Sequence, residues 1–463
     1  MPYEGEFGSK TSHFDFIKNP EVEAFLQQCD YLTPPSDEEC QALADRFTPP
    51  PRADIRLPSF VIAVDGSPYE ASIDDKLPST KIGFLKIGAV LINLEEYGSL
   101  RDGKFVDPFR VAALQNNNSA LTFTMPSANI RWGNKTTVRD SFRAWIDAQF
   151  YSSRTRFIET DPKTSLRSTL FALASRRPGE LGTHDPRRLK IYKCPQCERG
   201  PLELQDIPEQ QTCHYCGGEI YPTDCLRIWE EVQEYQSNGS AMSRLMLTLE
   251  HLIPIHYMRH LFNEAPLVLS GMAFFIDGPL AIFGNPAWLH RSIMIYLDEV
   301  NHKLRRFNQK PLLVIGLQKT GQVVDHVNFI DRFLPKDRLF AIDDAYRYKY
   351  ILAGREESRQ GFGFETYYGQ DFIYKTPTGR TFVFGIPYPY PSKEEPGVDF
   401  AREKIRWENY PQLPTAIQLI DHLESDLYKN AVVPIALAHR YTAVSLEPGG
   451  KVLDLLTRSA LNS

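Results

Sequence analysis

Apolar and polar positions along this chain switch between a helical period and a strand period, and the switches mark out its elements. Behind Pro34-Pro35-Ser36, the residues Cys40, Leu43, Ala44 and Phe47 fall on one helical face, and Pro49-Pro50-Pro51 ends the segment. Ser36 stands three residues before Glu39, the spacing of a capping box. The β-branched block Phe60-Val61-Ile62-Ala63-Val64 then runs into Asp65-Gly66-Ser67 and reads as a buried strand that stops on an acid and turns at glycine. Residues 81–93 form a longer apolar block that can pair beside it as a meander, the antiparallel start of a mixed sheet. Residues 105–124 give no clear pattern. Helical spacing returns at 141–150, at 165–175 and over 235–262, where Met242, Leu245, Met246, Leu249 and Leu252 accompany Glu250. A second acid-tipped strand is expected at 267–277, ending in Asp277-Gly278, then a helix at 286–307 and a strand at 311–316 that leads into Lys319. Residues 380–387 alternate as a strand. Residues 413–427 and 435–443 close the chain as helices, the second with Pro434 where a first turn tolerates it and carrying His439.

Length changes this picture little: 463 residues suit one elaborated α/β core with insertions, or two to three domains. No apolar run reaches about eighteen residues and the N-terminus is polar, so neither a membrane span nor a signal peptide is indicated and a cytoplasmic location is expected. The net charge of -6 argues against a protein that coats nucleic acid over its whole surface, but residues 131–193 hold fourteen Lys and Arg against six Asp and Glu. That is +8 against -14 for the rest, an electrostatic footprint for a polyanion or else a solvated helical face.

Four of the seven cysteines form Cys194-Pro195-Gln196-Cys197 and Cys213-His214-Tyr215-Cys216, fifteen residues apart. Two such knuckles closing a short hairpin supply the four soft ligands of tetrahedral Zn²⁺, and a closed four-thiolate set leaves no open position for catalysis. A structural zinc ribbon is therefore expected at 190–226.

Asp65 and Asp277, each at the end of an apolar strand, suggest neighbouring strands that aim acids at one site; either Asp-Gly alone could be only a turn. Glu250 lies on a largely apolar helix, where it either reaches solvent at the helix edge or faces a metal. His256 and His260 have i,i+4 spacing but flank a turn interrupted by Pro254, and read as surface or core histidines. Lys319 could hold a phosphate or be a surface lysine. If Asp65, Glu250, Asp277 and His439 converge, oxygen ligands select Mg²⁺ or Mn²⁺ and the imidazole favours Mn²⁺. Such a site hydrolyses phosphodiesters. A nucleotide hydrolase is disfavoured because no Walker loop is present.

The string Phe60 through Ser67, the helix with Glu250, Phe275-Ile276-Asp277-Gly278-Pro279-Leu280, the Gly316-Leu317-Gln318-Lys319 turn and Ala438-His439 occur in the order of, and together resemble, the NurA nuclease family. The resemblance implies an RNase H-like mixed sheet flanked by helices over residues 59–463, with the ribbon inserted in it and residues 1–58 as an N-terminal helical arm. It also implies a Mn²⁺- or Mg²⁺-dependent DNA nuclease, exo- or endonucleolytic on single strands and DNA ends, in DNA-end processing or defence against foreign DNA. Asp65, Glu250, Asp277 and His439 would be metal ligands and Lys319 would assist at phosphate. A homodimer and a HerA-type hexameric ATPase partner belong to the same expectation. The rival expectation is a catalytically degenerate DNA-binding or motor-docking module.

Overall fold

The computed structural model describes residues 11, 13–29, 33–74, 76–99, 101–102, 105–106, 118–352, 358–394, 399–425, 430–444 and 449–461. Part of the expected arm, and Leu427 at the end of one expected helix, lie outside them.

Eight strands form one mixed sheet: β1 (Phe60–Ser72), β2 (Lys81–Asn93), β3 (Asn118–Pro126), β4 (Met272–Asp277), β5 (Leu313–Gln318), β6 (Arg338–Ala341), β7 (Gly369–Lys375) and β8 (Thr381–Pro387). Their spatial order is β6-β7-β8-β5-β4-β1-β2-β3. β3, β2 and β1 are an antiparallel meander, β4 and β5 add parallel to β1, and β8, β7 and β6 complete the sheet antiparallel. This is the α/β, RNase H-like mixed sheet that the resemblance implied.

Helices cover both faces. They include α1 (Asp37–Ala44), α2 (Val138–Tyr151), α3 (Leu166–Ala174), α4 (Gly239–Glu264), α5 (Leu289–Arg306), α6 (Gln322–Ile330), α7 (Leu413–Leu423) and α8 (Val433–Thr442). Side chains added at two glycines identify the covers around β1: a Cβ at Gly66 would meet Met246 and Glu250 of α4, and one at Gly88 would meet Tyr441 and Thr442 of α8. Gly88 pairs with Asp65, so the odd positions of β1 face α8 and the even positions face α4. The main core is continuous through these layers, and a smaller cluster joins Cys40, Leu43, Ala44 and Phe47 to Val323, Val327 and Ile330 of α6. The capping box on α1 is formed, with Glu39 N–H donating to Ser36 Oγ at 3.2 Å and Ser36 N–H to Glu39 Oε2 at 3.1 Å.

Three local expectations are corrected. β1 does not stop at Asp65; Asp65-Gly66-Ser67 stays extended and pairs with Gly88-Ile87-Lys86, so Gly66 serves packing rather than a turn. Residues 266–270 are a short helix, because Pro266 has no N–H for a ladder but suits a first helical turn, and β4 begins only at Met272. Pro254 lies inside α4 without ending it.

The basic stretch is partly neutralised within the chain. Arg143 Nη2 lies 2.7 Å from Asp224 Oδ2 and its Nη1 2.7 Å from Asp140 Oδ1; Arg167 bonds Asp206 and Asp147; Arg176 bonds Glu299; Lys135 bonds Glu219. Arg143–Asp224 and Arg167–Asp206 tie α2 and α3 to the cysteine-bearing segment and Arg176–Glu299 ties the end of α3 to α5; the four acids from outside the stretch, Asp224, Asp206, Glu299 and Glu219, offset half of the +8.

No helix among the described residues is long and apolar enough to cross a membrane.

Candidate active site and cysteine cluster

Strand register brings the first two acids together. β1 and β4 run parallel with Val64 opposite Ile276, which places Asp65 and Asp277 at the next level of adjacent strands, on the face under α8. β5 pairs parallel with β4 through Asp277 and Leu317, so Lys319, two residues on, lies towards the same face. Its Nζ is 2.7 Å from Asp277 Oδ2 and 3.3 Å from Asp65 Oδ2. On the other side His439 of α8 brings Nδ1 to 2.9 Å from Asp65 Oδ2, with its own ring more than half exposed (56%).

Glu250 comes from the opposite face of the sheet. It reaches the acids over Gly66, whose N–H bonds its carboxylate and also lies 2.8 Å from Asp65 Oδ1. A Cβ on Gly66 would stand 2.9 Å from Glu250 Oε1 and 2.6 Å from Met246 Cγ. Glu250 and Asp65 are each only 2% exposed, so the reading of Glu250 as a solvent-edge acid does not hold.

The electrostatics follow from this crowding. Burial, then the charges of Asp65 and Asp277, push Glu250 well above the usual carboxylate range. Burial and Asp65 push Asp277 up to about 6, against the pull of Lys319. Burial disfavours the Lys319 ammonium, but Asp277 and Asp65 outweigh it and hold its pKa above the ordinary value. Fully ionised, the three carboxylates would outweigh the Lys319 ammonium, and the raised values of Glu250 and Asp277 show that protons relieve this surplus when no cation is bound. Hard oxygen donors with surplus charge fit a divalent cation such as Mg²⁺ or Mn²⁺.

The sequence reading missed Lys86. It pairs with Ser67 two positions from the Asp65–Gly88 pair, so it shares the face of Asp65, and its Nζ donates to Tyr441 O at 2.6 Å beneath the Tyr441 ring. The strand period would have found it once the β1–β2 register was known. His256 and His260 stand apart from the acids, buried against each other and against Thr169.

The four cysteines gather elsewhere. Among the described residues, theirs is the only group of three or more His, Cys, Asp or Glu with ligand atoms all within 4.8 Å of one another. Cys194 and Cys216 sulfurs are 3.7 Å apart and those of Cys197 and Cys213 3.8 Å. Zn–S bonds of about 2.3 Å make a tetrahedron with edges of about 3.8 Å. The knuckles repeat one backbone geometry: Cys194 N–H donates to Arg199 O and Cys213 N–H to Gly218 O, each at 2.8 Å, while Glu198 N–H returns to Cys194 O at 3.0 Å and Gly217 N–H to Cys213 O at 2.8 Å. The cluster is thus compatible with zinc.

The NurA domain model matches residues 60–444. The chain belongs to the NurA family. The NurA match takes in Asp65, Glu250, Asp277, Lys319, His439 and all four clustered cysteines. Among solved structures the chain is similar to the NurA nuclease from Sulfolobus solfataricus, at 10% identity over 98% of this chain and 95% of that one, with a TM-score of 0.34. It is also similar to a second NurA crystal structure, at 12% identity over 97% of each chain, with a TM-score of 0.28. No curated protein matches.

Proposed function

We propose that this chain is a metal-dependent DNA nuclease whose centre is Asp65, Asp277, Glu250 and His439, with Lys319 assisting at the scissile phosphate. One observation carries the reading: two acids in register on adjacent parallel strands, an ammonium shared between them, and a third acid entering from the other face over a glycine. Asp65, Asp277, Glu250 and His439 would hold Mn²⁺ or Mg²⁺, which when bound activates water and offsets charge on the phosphate. The chain's own groups do the rest. His439 and the Gly66 N–H each fix one oxygen of Asp65, setting the direction of its lone pairs. Lys319 supplies positive charge at the acid pair and would pass it to a phosphate oxygen of the substrate.

The same proposal takes the four cysteines as a structural Zn²⁺ site in an inserted ribbon at 190–226, and residues 1–58 as an N-terminal helical arm whose α1 packs on α6 of the nuclease domain at 59–463. A homodimer, action on DNA ends and single strands, and a HerA-type hexameric ATPase partner rest on family membership alone.

The test is digestion of end-labelled linear and circular, single- and double-stranded DNA by the zinc-loaded chain with Mn²⁺, Mg²⁺ or neither. Metal-dependent cleavage that disappears in Asp65→Ala is expected. Tight DNA binding without cleavage under every condition, the ATPase partner included, would replace the enzyme with a binding module.

A further inference from the structure

The segment that leaves Asp277 is held unusually firmly. Gly278 turns at φ +97° and donates its N–H to Leu317 O at 2.8 Å, after which the chain crosses the sheet towards β7. Leu280 is wholly buried on a floor of three glycines from three adjacent strands. A Cβ would lie 2.7 Å from Leu280 at Gly369 and 2.9 Å at Gly316, closer than side chains approach one another, whereas at Gly385 it would meet Leu280 at an ordinary 3.4 Å; the first two glycines let the segment lie this close. Tyr368 N–H donates to Leu280 O at 2.8 Å, and Ile282 N–H to Thr366 O at 2.9 Å.

The helix that carries Glu250 grips this same segment. His251, the next residue, is buried, with Nδ1 2.7 Å from the Tyr368 hydroxyl and a further hydrogen bond to the backbone of Ala281. Tyr368 is therefore used twice, by its amide on Leu280 and by its hydroxyl on His251. A leucine would fill the position of His251 without a polar group to satisfy. The polar pair makes the contact directional, and it fixes how far α4 stands from the Asp277 turn.

Resting on the metal-centre reading above, we propose that His251, with Tyr368, is a positioning residue for that centre. It ties the helix of Glu250 to the segment that follows Asp277, and so sets the distance between two carboxylates that approach from opposite faces of the sheet.

The experiment compares the unaltered full chain with Tyr368→Phe, His251→Gln and His251→Leu. Mn²⁺ affinity is measured by calorimetry, amide exchange over residues 278–282 by mass spectrometry, and global stability by urea. In Tyr368→Phe and His251→Leu the expectation is Mn²⁺ affinity lower by about tenfold or more, faster exchange over 278–282, and DNA cleavage that returns as Mn²⁺ is raised to saturation. His251→Gln, which keeps a polar reach towards Ala281, should lie between. Mn²⁺ affinity within about twofold of the parent in both Tyr368→Phe and His251→Leu overturns the proposal, even where urea stability falls, because His251 then only packs. Failure of the metal-centre reading shows differently: the unaltered chain itself takes up no Mn²⁺, and both inferences fall together.

Discussion

Replacing Asp277 by Asn should stabilise the protein in the absence of Mn²⁺ and Mg²⁺, and do so more as pH rises. Asp277 has a pKa of about 6 in the folded chain against an ordinary 3.8, raised by burial and by Asp65 although Lys319 pulls it down. For an acid whose folded value is raised, folding costs nothing extra below about pH 4, where both states hold the proton. The cost grows between the unfolded and folded values and is complete above them. A gap of about two units amounts to on the order of 3 kcal/mol at pH 8 and roughly half of that at pH 5. Asparagine is close to the neutral carboxyl in shape and avoids that cost. Urea denaturation of the zinc-loaded parent and Asp277→Asn at pH 5 and 8, without added Mn²⁺ or Mg²⁺, reads the difference. Mn²⁺ at a hundred times its dissociation constant should then add about 2.7 kcal/mol to the parent and far less to the variant, reversing the order. A variant less stable than the parent at pH 8, or a gap that does not change with pH, would refute the argument that the acids are held in electrostatic surplus.

Lys319→Met removes the cation shared by Asp65 and Asp277; the chain without added metal should lose on the order of 3–5 kcal/mol in urea, part of it restored by Mn²⁺, and equal stability would dismiss Lys319 as counter-ion. Gly66→Ala should cost about 1–3 kcal/mol by overpacking and should suppress cleavage out of proportion to that loss, because its Cβ displaces Glu250; full activity in the variant would remove Glu250 from the site. Cys197→Ser should release the bound zinc, read by elemental analysis, and loosen the hairpins on α2 and α3; zinc content equal to the parent would reject the four-thiolate site.

What the sequence made legible was local. The strand from Phe60 to Val64, the capping box of Ser36 and Glu39, and the two Cys-x-x-Cys knuckles depend on spacing within a few residues, which is visible without knowing what packs on what. What it hid depended on distant partners. The basic stretch looked like a footprint for a polyanion because the acids that neutralise Arg143, Arg167 and Arg176 come from Asp224, Asp206 and Glu299, up to a hundred and more positions away. Gly66 looked like a turn because glycine after an acid usually is one, and only the approach of α4 shows that the missing side chain matters more than the missing strain.

The same distinction explains why the acids were easier to nominate than to arrange. Asp65 and Asp277 share a face only because Val64 pairs with Ile276; a slip of one residue in that parallel register would turn Asp277 to the α4 side and leave Lys319 with a single partner. Glu250 faces the reverse constraint. It starts on the α4 side and can meet the other two only where the intervening strand carries no side chain, which makes the glycine after Asp65 as much a part of the site as the acids themselves. The site is therefore specified by three things together: acids at strand level, the register that aligns two of them, and the gap that admits the third.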